Sequence, residues 1–167
     1  LELMDIVHCD IKPDNIMYHE ELNELKVIDF GSIEHEGNHG GFGTLYYASP
    51  LQCEIYSNSE THFTEAHHFD SQDDIYSFGV ILYELFTGIL PYSKDLDEET
   101  IIFAHQYGQI NENTEYSFKK PSEINSLIAQ ELERIILKAM ALEKENRYES
   151  FSDIKNDLED YYGIFIK

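Results

Sequence analysis

Basic residues are scarce in this chain. It contains 11 Lys and Arg residues against 33 Asp and Glu residues, which gives a formal net charge of −22 over 167 residues. A surface of this charge repels nucleic acids and anionic membranes, so neither is expected as a partner. Basic substrates would suit it, although an acidic surface that aids solubility accounts for the charge more simply.

Cysteines and long apolar segments are also scarce. Cys9 and Cys53 are the two cysteines, and two cysteines make no disulfide framework, which fits a reducing compartment. The longest apolar run, residues 78–90, contains Glu84 and is too short to span a bilayer. No signal peptide is visible. The sequence therefore predicts a cytoplasmic protein with no membrane segment.

Polar residues of several chemical types lie close together near the start of the chain, within residues 7–31. Pro13 excludes a helix interior, so the residues around it are expected to form a loop. Two short apolar runs flank the polar tip at residues 19–24, a pattern typical of a β-hairpin. A hairpin brings its two ends together, so Asn15 and Asp29 are expected to be neighbours. Their oxygen atoms are ligands of the kind that Mg²⁺ prefers.

This stretch resembles the catalytic and metal-binding loops of eukaryotic-type protein kinases. The family pattern is His-Arg-Asp, an Asn five positions after that Asp, and then Asp-Phe-Gly. At residue frequencies of about 5 % each, five fixed positions match by chance in well under ~1 window per million. The matching residues are His8, Asp10, Lys12, Pro13, Asn15, Asp29, Phe30 and Gly31.

The resemblance implies transfer of the γ-phosphoryl group of ATP to a protein hydroxyl. It implies that Asp10 orients the hydroxyl and accepts its proton, and that Lys12 neutralises charge on the transferred phosphoryl group. Asn15 and Asp29 are implied to hold Mg²⁺ against the phosphates of ATP. Thr44 is implied to lie in the segment that seats the substrate peptide. Together with Lys12, it indicates a Ser/Thr enzyme and not a Tyr enzyme.

The resemblance continues to the end of the chain in the order of the family's motifs. Residues 43–50 resemble the end of the activation segment. Residues 73–88 are predicted to form a buried helix with an acidic start and a Gly stop. In the family, the Asp at this helix start braces the catalytic loop by accepting its backbone N–H groups. The residues with an implied structural role are His8, Phe30, Gly31, Asp74 and Arg147.

Three further helices are predicted, the first from its acidic start and the other two from apolar residues at helical spacing. The first covers residues 97–107, the second about 127–142, and the third starts near Ser150, which forms a plausible N-cap pair with Asp153. Residues 52–72 are predicted to be a polar loop. Residues 146–150 and the helices that flank them look most like those of bacterial-type Ser/Thr kinases.

The expected fold is therefore mainly α, the α+β large lobe of a kinase. It is a helical bundle with a short β-hairpin that carries the catalytic and metal-binding loops. The whole chain, residues 1–167, is expected to be this C-terminal lobe, a partial domain. An N-lobe is expected to be absent from this chain, since no Gly-rich phosphate loop or strand Lys precedes Asp10. We therefore expect the full-length protein to supply the N-lobe, and this polypeptide alone to show little or no kinase activity.

One departure from the family concerns regulation. Cys9 replaces the Arg that normally precedes the catalytic Asp and pairs with a phosphorylated residue of the activation loop. No Ser, Thr or Tyr lies between Ile33 and Gly43. The two absences agree, so the lobe is not expected to depend on a phosphate–Arg contact.

A second departure concerns a buried ion pair. Leu51 stands where the family has Glu, and Arg147 matches the Arg that pairs with that Glu. A buried Arg without its partner is costly. We expect either that Gln52 or Glu54 takes the place of the missing Glu, or that the segment is loosened.

Two alternatives to the catalytic reading stay open at this point. One is a non-catalytic, pseudokinase-like binding or scaffold module, which the missing small lobe, Cys9 and Leu51 favour. The other is metal buffering by His62, His67 and His68. A flexible polar loop explains these histidines better, since no second ligand pair has zinc-like spacing.

Overall fold

The computed structural model describes residues 6–30, 44–57, 69–92, 95–108 and 119–165. These ranges contain a two-stranded antiparallel sheet and six α-helices, so the predicted mainly-α fold with one hairpin is confirmed. Gly31, the activation-loop residues 33–43 and the three histidines at 62, 67 and 68 lie outside the described residues. The elements are β1 (Ile16–His19), β2 (Glu24–Val27), α1 (Pro50–Ser57), α2 (Ser71–Thr87), α3 (Glu98–Tyr107), α4 (Pro121–Ile124), α5 (Gln130–Ala139) and α6 (Phe151–Phe165).

The hairpin forms where the sequence predicts it. β1 pairs with β2 from Ile16 opposite Val27 to His19 opposite Glu24. At the tip, Asn23 adopts a left-handed backbone conformation with φ of 50°, which Asn tolerates better than most residues. The two ends of the hairpin meet as expected, since the Ile28 N–H donates to the Asn15 carbonyl at 2.9 Å.

Helix α2 is the buried centre of the bundle. It begins with a capping box, in which Asp70 accepts a hydrogen bond from the Gln72 N–H and the Asp73 carboxylate accepts one from the Asp70 N–H. It ends at Gly88, whose φ of 78° is the left-handed conformation that glycine adopts without steric cost. The predicted helix over 73–88 is confirmed, with its start two residues earlier.

Helices α5 and α6 pack their apolar faces against α2. Two clusters of buried side chains share this contact, which places the core between the three helices. The α2 side chains of the first cluster are Tyr76, Val80, Leu82 and Tyr83, and its α5 side chains are Leu132 and Ile136. The second cluster contains Ile75, Ile135, Ala139, Tyr148 and Ile154.

The helix predicted over 127–142 is shorter than expected. Asn125 makes a turn in which its carbonyl accepts from the Ile128 N–H and its side chain accepts from the Leu127 N–H, so the helix starts only at Gln130. The side-chain hydrogen bonds of Asn compete with helical backbone bonds in this way. At the other end, Met140 leaves the helical conformation, with ψ of 12°.

The polar loop predicted over 52–72 is wrong for its first part. Residues Pro50–Ser57 form α1, which packs against α3. Cys53 is fully buried there in a small cluster with Ala48 and Ile102. Tertiary burial therefore stabilises a helix that local composition did not indicate.

Two helix starts agree with their sequence signals. The carboxylate of Asp97 accepts a hydrogen bond from the Thr100 N–H at the start of α3, at 2.8 Å. At the start of α6, the Ser150 hydroxyl accepts from the Asp153 N–H and donates to the Asp153 carboxylate, so the predicted N-cap pair is confirmed. Among the helices of the described ranges, none has the length and apolar character that crossing a membrane requires.

Replacing Gly79 with Ala is expected to destabilise the fold by about 1–3 kcal/mol, because the buried α2–α5 contact has no room for a methyl group. A Cβ at Gly79 would lie 2.8 Å from Met140 Cγ and 2.9 Å from Ala139 Cβ. The matched control is Gly163→Ala in α6, where a Cβ meets no atom within 4 Å. The control should be neutral or stabilising by up to ~1 kcal/mol. Urea unfolding of both variants measures the difference, and equal effects would contradict the packing described.

Candidate active site

The Asp74 carboxylate anchors the loop that contains Asp10. This carboxylate, in the first turn of α2, accepts hydrogen bonds from the backbone N–H groups of His8 at 2.7 Å and of Cys9 at 2.9 Å. Cys9 adopts φ of 62°, a left-handed conformation that costs a non-glycine residue roughly 1–2 kcal/mol. The two hydrogen bonds to one buried carboxylate hold the loop in this conformation.

Burial raises the pKa of Asp74 to about 6, although the hydrogen bonds from the His8 and Cys9 N–H groups oppose the rise. The folded-state pKa lies above the unfolded value, so the stability contributed by this group is fully present below about pH 4. It is lost as the pH rises towards 6. The loss amounts to a few kcal/mol, since one pKa unit corresponds to about 1.4 kcal/mol.

We therefore expect Asp74→Asn to remove part of the pH dependence of stability between pH 4 and 6. The test compares urea unfolding of wild type and variant across this range, so that the shared titration of other carboxylates cancels. The difference in unfolding free energy between the two proteins should change by a few kcal/mol. A constant difference from pH 4 to 7 would show that Asp74 does not titrate there.

The Asp10 carboxylate is contacted by three other residues, Thr44, Lys12 and Asn15. Its Oδ1 accepts a hydrogen bond from the Thr44 N–H at 3.0 Å, and its Oδ2 lies 2.7 Å from Lys12 Nζ. The Asn15 amide donates to the Asp10 carbonyl at 2.8 Å and to Oδ2 at 3.0 Å. Lys12 Nζ also donates to Thr44 Oγ1 at 3.0 Å. The structure thus brings Asp10, Lys12, Asn15 and Thr44 into one hydrogen-bonded cluster.

Asp29 follows β2 at the open end of the hairpin, where Asn15 precedes β1. The Ile28 N–H donates to the Asn15 carbonyl at 2.9 Å, which places the residue before Asp29 beside Asn15. Asp29 itself is exposed and has φ of 62°. The two residues therefore lie at the same end of the sheet, although they are 14 positions apart in sequence.

His8 joins the two loops. The ring is fully buried, and its Nε2 lies 3.0 Å from the Ile28 carbonyl, while Nδ1 accepts from the Asp10 N–H at 3.3 Å. This pair of partners requires the tautomer with the proton on Nε2. The ring also packs on Phe30, with centroids 5.1 Å apart. His8 and Phe30 thus tie the loop of Asp10 to that of Asp29 by packing and hydrogen bonding.

The side chains at this place fit a hard divalent cation. Both hydrogen bonds of the Asn15 NH₂ group go to Asp10, which leaves the carboxamide oxygen as the atom that can bind a cation. Asp29 adds an exposed carboxylate. Carboxamide and carboxylate oxygens suit Mg²⁺, which also retains water molecules and binds phosphate oxygens.

The segment after Thr44 is anchored to the central helix. It forms a short turn, Leu45–Tyr47, and the Tyr47 hydroxyl donates to the Glu84 carboxylate on α2 at 2.6 Å. Burial and the hydrogen bond to Glu84 raise the pKa of the Tyr47 hydroxyl, so it stays protonated and able to donate. Thr44 is therefore held at Asp10 from one side and by α2 from the other.

The prediction that Gln52 or Glu54 replaces the missing Glu as the partner of Arg147 is wrong. Arg147 contacts neither Gln52 nor Glu54 among its hydrogen bonds; its guanidinium donates to three backbone carbonyls and lies 4.0 Å from Asp73 Oδ1. Burial lowers the pKa of Arg147, which the charge of Asp73 opposes. The carbonyl acceptors belong to Gln72, Ala141 and Leu142. Asp73 takes over the acidic position because it comes from the adjacent helix start, which sequence spacing could not show.

Sequence reasoning also missed Ser49 as a polar core residue. Its hydroxyl donates to Asp73 Oδ1 at 2.7 Å, and both side chains are buried. A signal for this contact was present in the sequence. Asp73 and Asp74 are consecutive acids, and only Asp74 has a counterpart in the resembled motif, so Asp73 required a partner of its own.

Comparison with known proteins gives a match over nearly the whole chain. A family model described as protein kinase domain matches residues 2–158. The chain belongs to the protein kinase family. The kinase chain is 33 % identical over 162 residues to a probable serine/threonine-protein kinase of Clostridium perfringens, covering 92 % of this chain and 20 % of that protein.

Two further relatives carry similar names. Serine/threonine-protein kinase PknB of Mycolicibacterium smegmatis is 32 % identical over 161 residues, or 92 % of this kinase chain and 22 % of PknB. A putative serine/threonine-protein kinase of Mycoplasma pneumoniae is 29 % identical over 166 residues, or 93 % of this chain and 41 % of that protein. The resemblance to bacterial-type Ser/Thr kinases is thereby confirmed. The chain spans between about a fifth and two fifths of the length of these relatives.

Proposed function

We propose that this chain is the catalytic lobe of a Ser/Thr protein kinase and that its site transfers the γ-phosphoryl group of ATP to a Ser or Thr hydroxyl of a protein. The observation that carries the proposal is the cluster at Asp10. One carboxylate receives a backbone N–H from the substrate segment, an ammonium group and a carboxamide, all within 3.0 Å. Such a site combines a base, a cation and oxygen ligands at one point.

Asp10 acts as the base in this proposal. The hydroxyl oxygen of the substrate attacks the γ-phosphorus, the bond between that phosphorus and the ADP oxygen breaks, and the hydroxyl proton passes to Asp10. The N–H of Thr44 and the ammonium group of Lys12 each occupy one Asp10 oxygen, so they fix the direction from which the carboxylate meets the hydroxyl. A positioned base of this kind contributes typically 10²–10⁴-fold.

Lys12 has a second role in the proposal. Its ammonium group lies between Asp10 and Thr44, at the point where substrate hydroxyl and phosphoryl group would meet. A cation at this position stabilises the negative charge on the transferred oxygens. The contact with Thr44 also couples the position of this cation to the segment that seats the peptide.

Asn15 and Asp29 would hold Mg²⁺ and thereby the phosphates of ATP. When bound, the ion supplies charge neutralisation at the phosphate oxygens. The Asn15 amide stays bonded to Asp10, so one side chain aligns the base with the cation ligands. His8 keeps the two loops in register through Ile28.

We further propose that this lobe belongs to a two-lobed kinase domain in the cytoplasm. An N-lobe outside residues 1–167 would supply the Gly-rich loop and the strand Lys that the family uses to bind ATP. Cys9 and Cys53 are buried and form no disulfide, which fits a reducing compartment that contains ATP. The chain retains the base, the cation and the oxygen ligands that the reaction needs, which supports the catalytic proposal over the non-catalytic alternative.

The test is phosphoryl transfer by the complete protein that the gene encodes, compared with the chain of residues 1–167. Each is incubated with γ-labelled ATP, Mg²⁺ and casein, and the labelled amino acids are identified. We expect label on Ser and Thr, none on Tyr, loss of transfer with a chelator, and a far lower rate for residues 1–167 alone. Complete protein that leaves casein unlabelled would overturn the proposal.

A further inference from the structure

A side chain of α1 reaches the catalytic loop at the backbone carbonyl of Cys9. Gln52 Nε2 donates to this carbonyl at 2.7 Å, and both residues are buried. The carbonyl belongs to the peptide bond that leads into Asp10. The Cys9 N–H is held by Asp74, so the strained Cys9 is fixed on both of its polar atoms.

The orientation of the Gln52 amide follows from its partners. Its Oε1 accepts from the Ser49 N–H at 2.8 Å, and an N–H can bond only to the oxygen end of the amide. The nitrogen end must then face the Cys9 carbonyl, which is an acceptor. Only one orientation of the Gln52 amide therefore satisfies both the Ser49 N–H and the Cys9 carbonyl.

Gln52 is fixed in turn by a buried chain of polar contacts. The Ser49 hydroxyl accepts from the Gln52 N–H at 3.2 Å and donates to Asp73 Oδ1 at 2.7 Å. Asp73 is 1 % exposed, and its other oxygen binds Lys144 Nζ at 2.8 Å. The chain of polar contacts therefore runs from Lys144, in the turn before α6, through Asp73, Ser49 and Gln52 to the peptide bond before Asp10.

We infer that Gln52 is a positioning residue for phosphoryl transfer and that it sets the orientation of Asp10 through the Cys9 carbonyl. Arg147 has lost the Glu partner of its family, as Leu51 shows, and Asp73 has become the acid at this place. The same Asp73 holds Ser49 and, through it, Gln52. This inference rests on the proposed function, since it concerns the geometry of the proposed base.

The decisive variant is Gln52→Glu. The introduced carboxylate keeps an acceptor for the Ser49 N–H but places a negative oxygen against the Cys9 carbonyl. We expect kcat of the complete protein to fall about 10²-fold at pH 8.5, with KM for ATP unchanged, because a displaced reacting group costs rate and not ground-state binding. Gln130→Glu, an exposed position on α5, adds the same charge and should leave kcat within about twofold.

The pH dependence of kcat distinguishes a positioning role of Gln52 from a purely structural one. Burial raises the pKa of a carboxyl group, and the protonated form regains a donor for the Cys9 carbonyl. The deficit of Gln52→Glu relative to wild type should therefore shrink to less than about tenfold at pH 6 and grow as the pH rises. A variant with wild-type kcat, or with a deficit that does not change with pH, would overturn the inference.

Hydrogen exchange gives a readout that does not need activity. In the chain of residues 1–167, Gln52→Glu should speed exchange of the His8 and Cys9 amides at pH 8, while the core amides of α2 exchange as in wild type. Unchanged exchange at His8 and Cys9 would overturn the inference even if the complete protein transfers no phosphate. If Gln52→Glu does not fold, Ser49→Ala removes only the hydroxyl contact, and it should produce a smaller fall in kcat that does not depend on pH.

Discussion

Asp10→Asn is expected to reduce phosphoryl transfer by 10²–10⁴-fold, the range that a positioned base contributes. The amide that replaces the carboxylate cannot accept a proton at neutral pH, and it loses the charge that attracts Lys12 at 2.7 Å. The rate of label transfer from ATP to casein by the complete protein measures the effect. Thermal melting of the variant must accompany it, because Thr44, Lys12 and Asn15 all bind this carboxylate.

Asp14 provides the matched control for this experiment. It lies in the same loop, within the short turn Pro13–Asn15, and its side chain is exposed. Asp14→Asn removes the same charge four residues away and should change transfer by no more than about twofold. Equal losses for the two variants would indicate a general charge effect and would remove Asp10 from the role of base.

Arg147→Met is expected to destabilise the folded state by about 3–5 kcal/mol, the cost of removing one partner of a buried charged contact. The methionine fills much of the same volume, but it leaves Asp73 with less positive charge and deprives three backbone carbonyls of their donor. Urea unfolding followed by far-UV circular dichroism measures the change. Activity of the variant, where it still folds, should fall less than for Asp10→Asn.

Arg134→Met is the control for the buried arginine. The Arg134 side chain is 59 % exposed and pairs with Asp157 at 3.1 Å on the surface. Exposed pairs contribute about 0.2–1 kcal/mol, so this variant should lie well below the buried one. Comparable losses of unfolding free energy for the two variants would show that the carbonyl contacts of Arg147 and its approach to Asp73 add little. Asp73 would then not compensate for the family's Glu that Leu51 replaces.

Local patterns in the sequence were sufficient for several elements. The hairpin follows from two apolar runs around a polar tip, and α2 follows from an apolar stretch with an acidic start and a glycine stop. Both signals act through nearby residues, namely backbone pairing across a turn and capping within one helical turn. The Ser150–Asp153 cap is of the same kind.

Other elements depended on distant residues, and there the predictions failed. Helix α1 was predicted as loop because its own apolar content is modest, and it is stabilised by burial against α3. The shortened α5 results from the side chain of Asn125, whose hydrogen bonds compete with the helix. The partner of Arg147 was assigned by sequence distance to Gln52 or Glu54, although the acid that comes near it is Asp73.

The sequence alone determined the types of residue that this protein needs for its chemistry, and their order, because spacing within a loop and across a hairpin is set by the chain itself. These residues and their order indicate the kinase family. Tertiary structure alone decided how the charges are paired: Asp10 with Lys12 and Thr44, Asp74 with two backbone amides, and Asp73 with Lys144. The physical reason is that buried charges require partners, and those partners come from whichever segments the packing of α2 brings together.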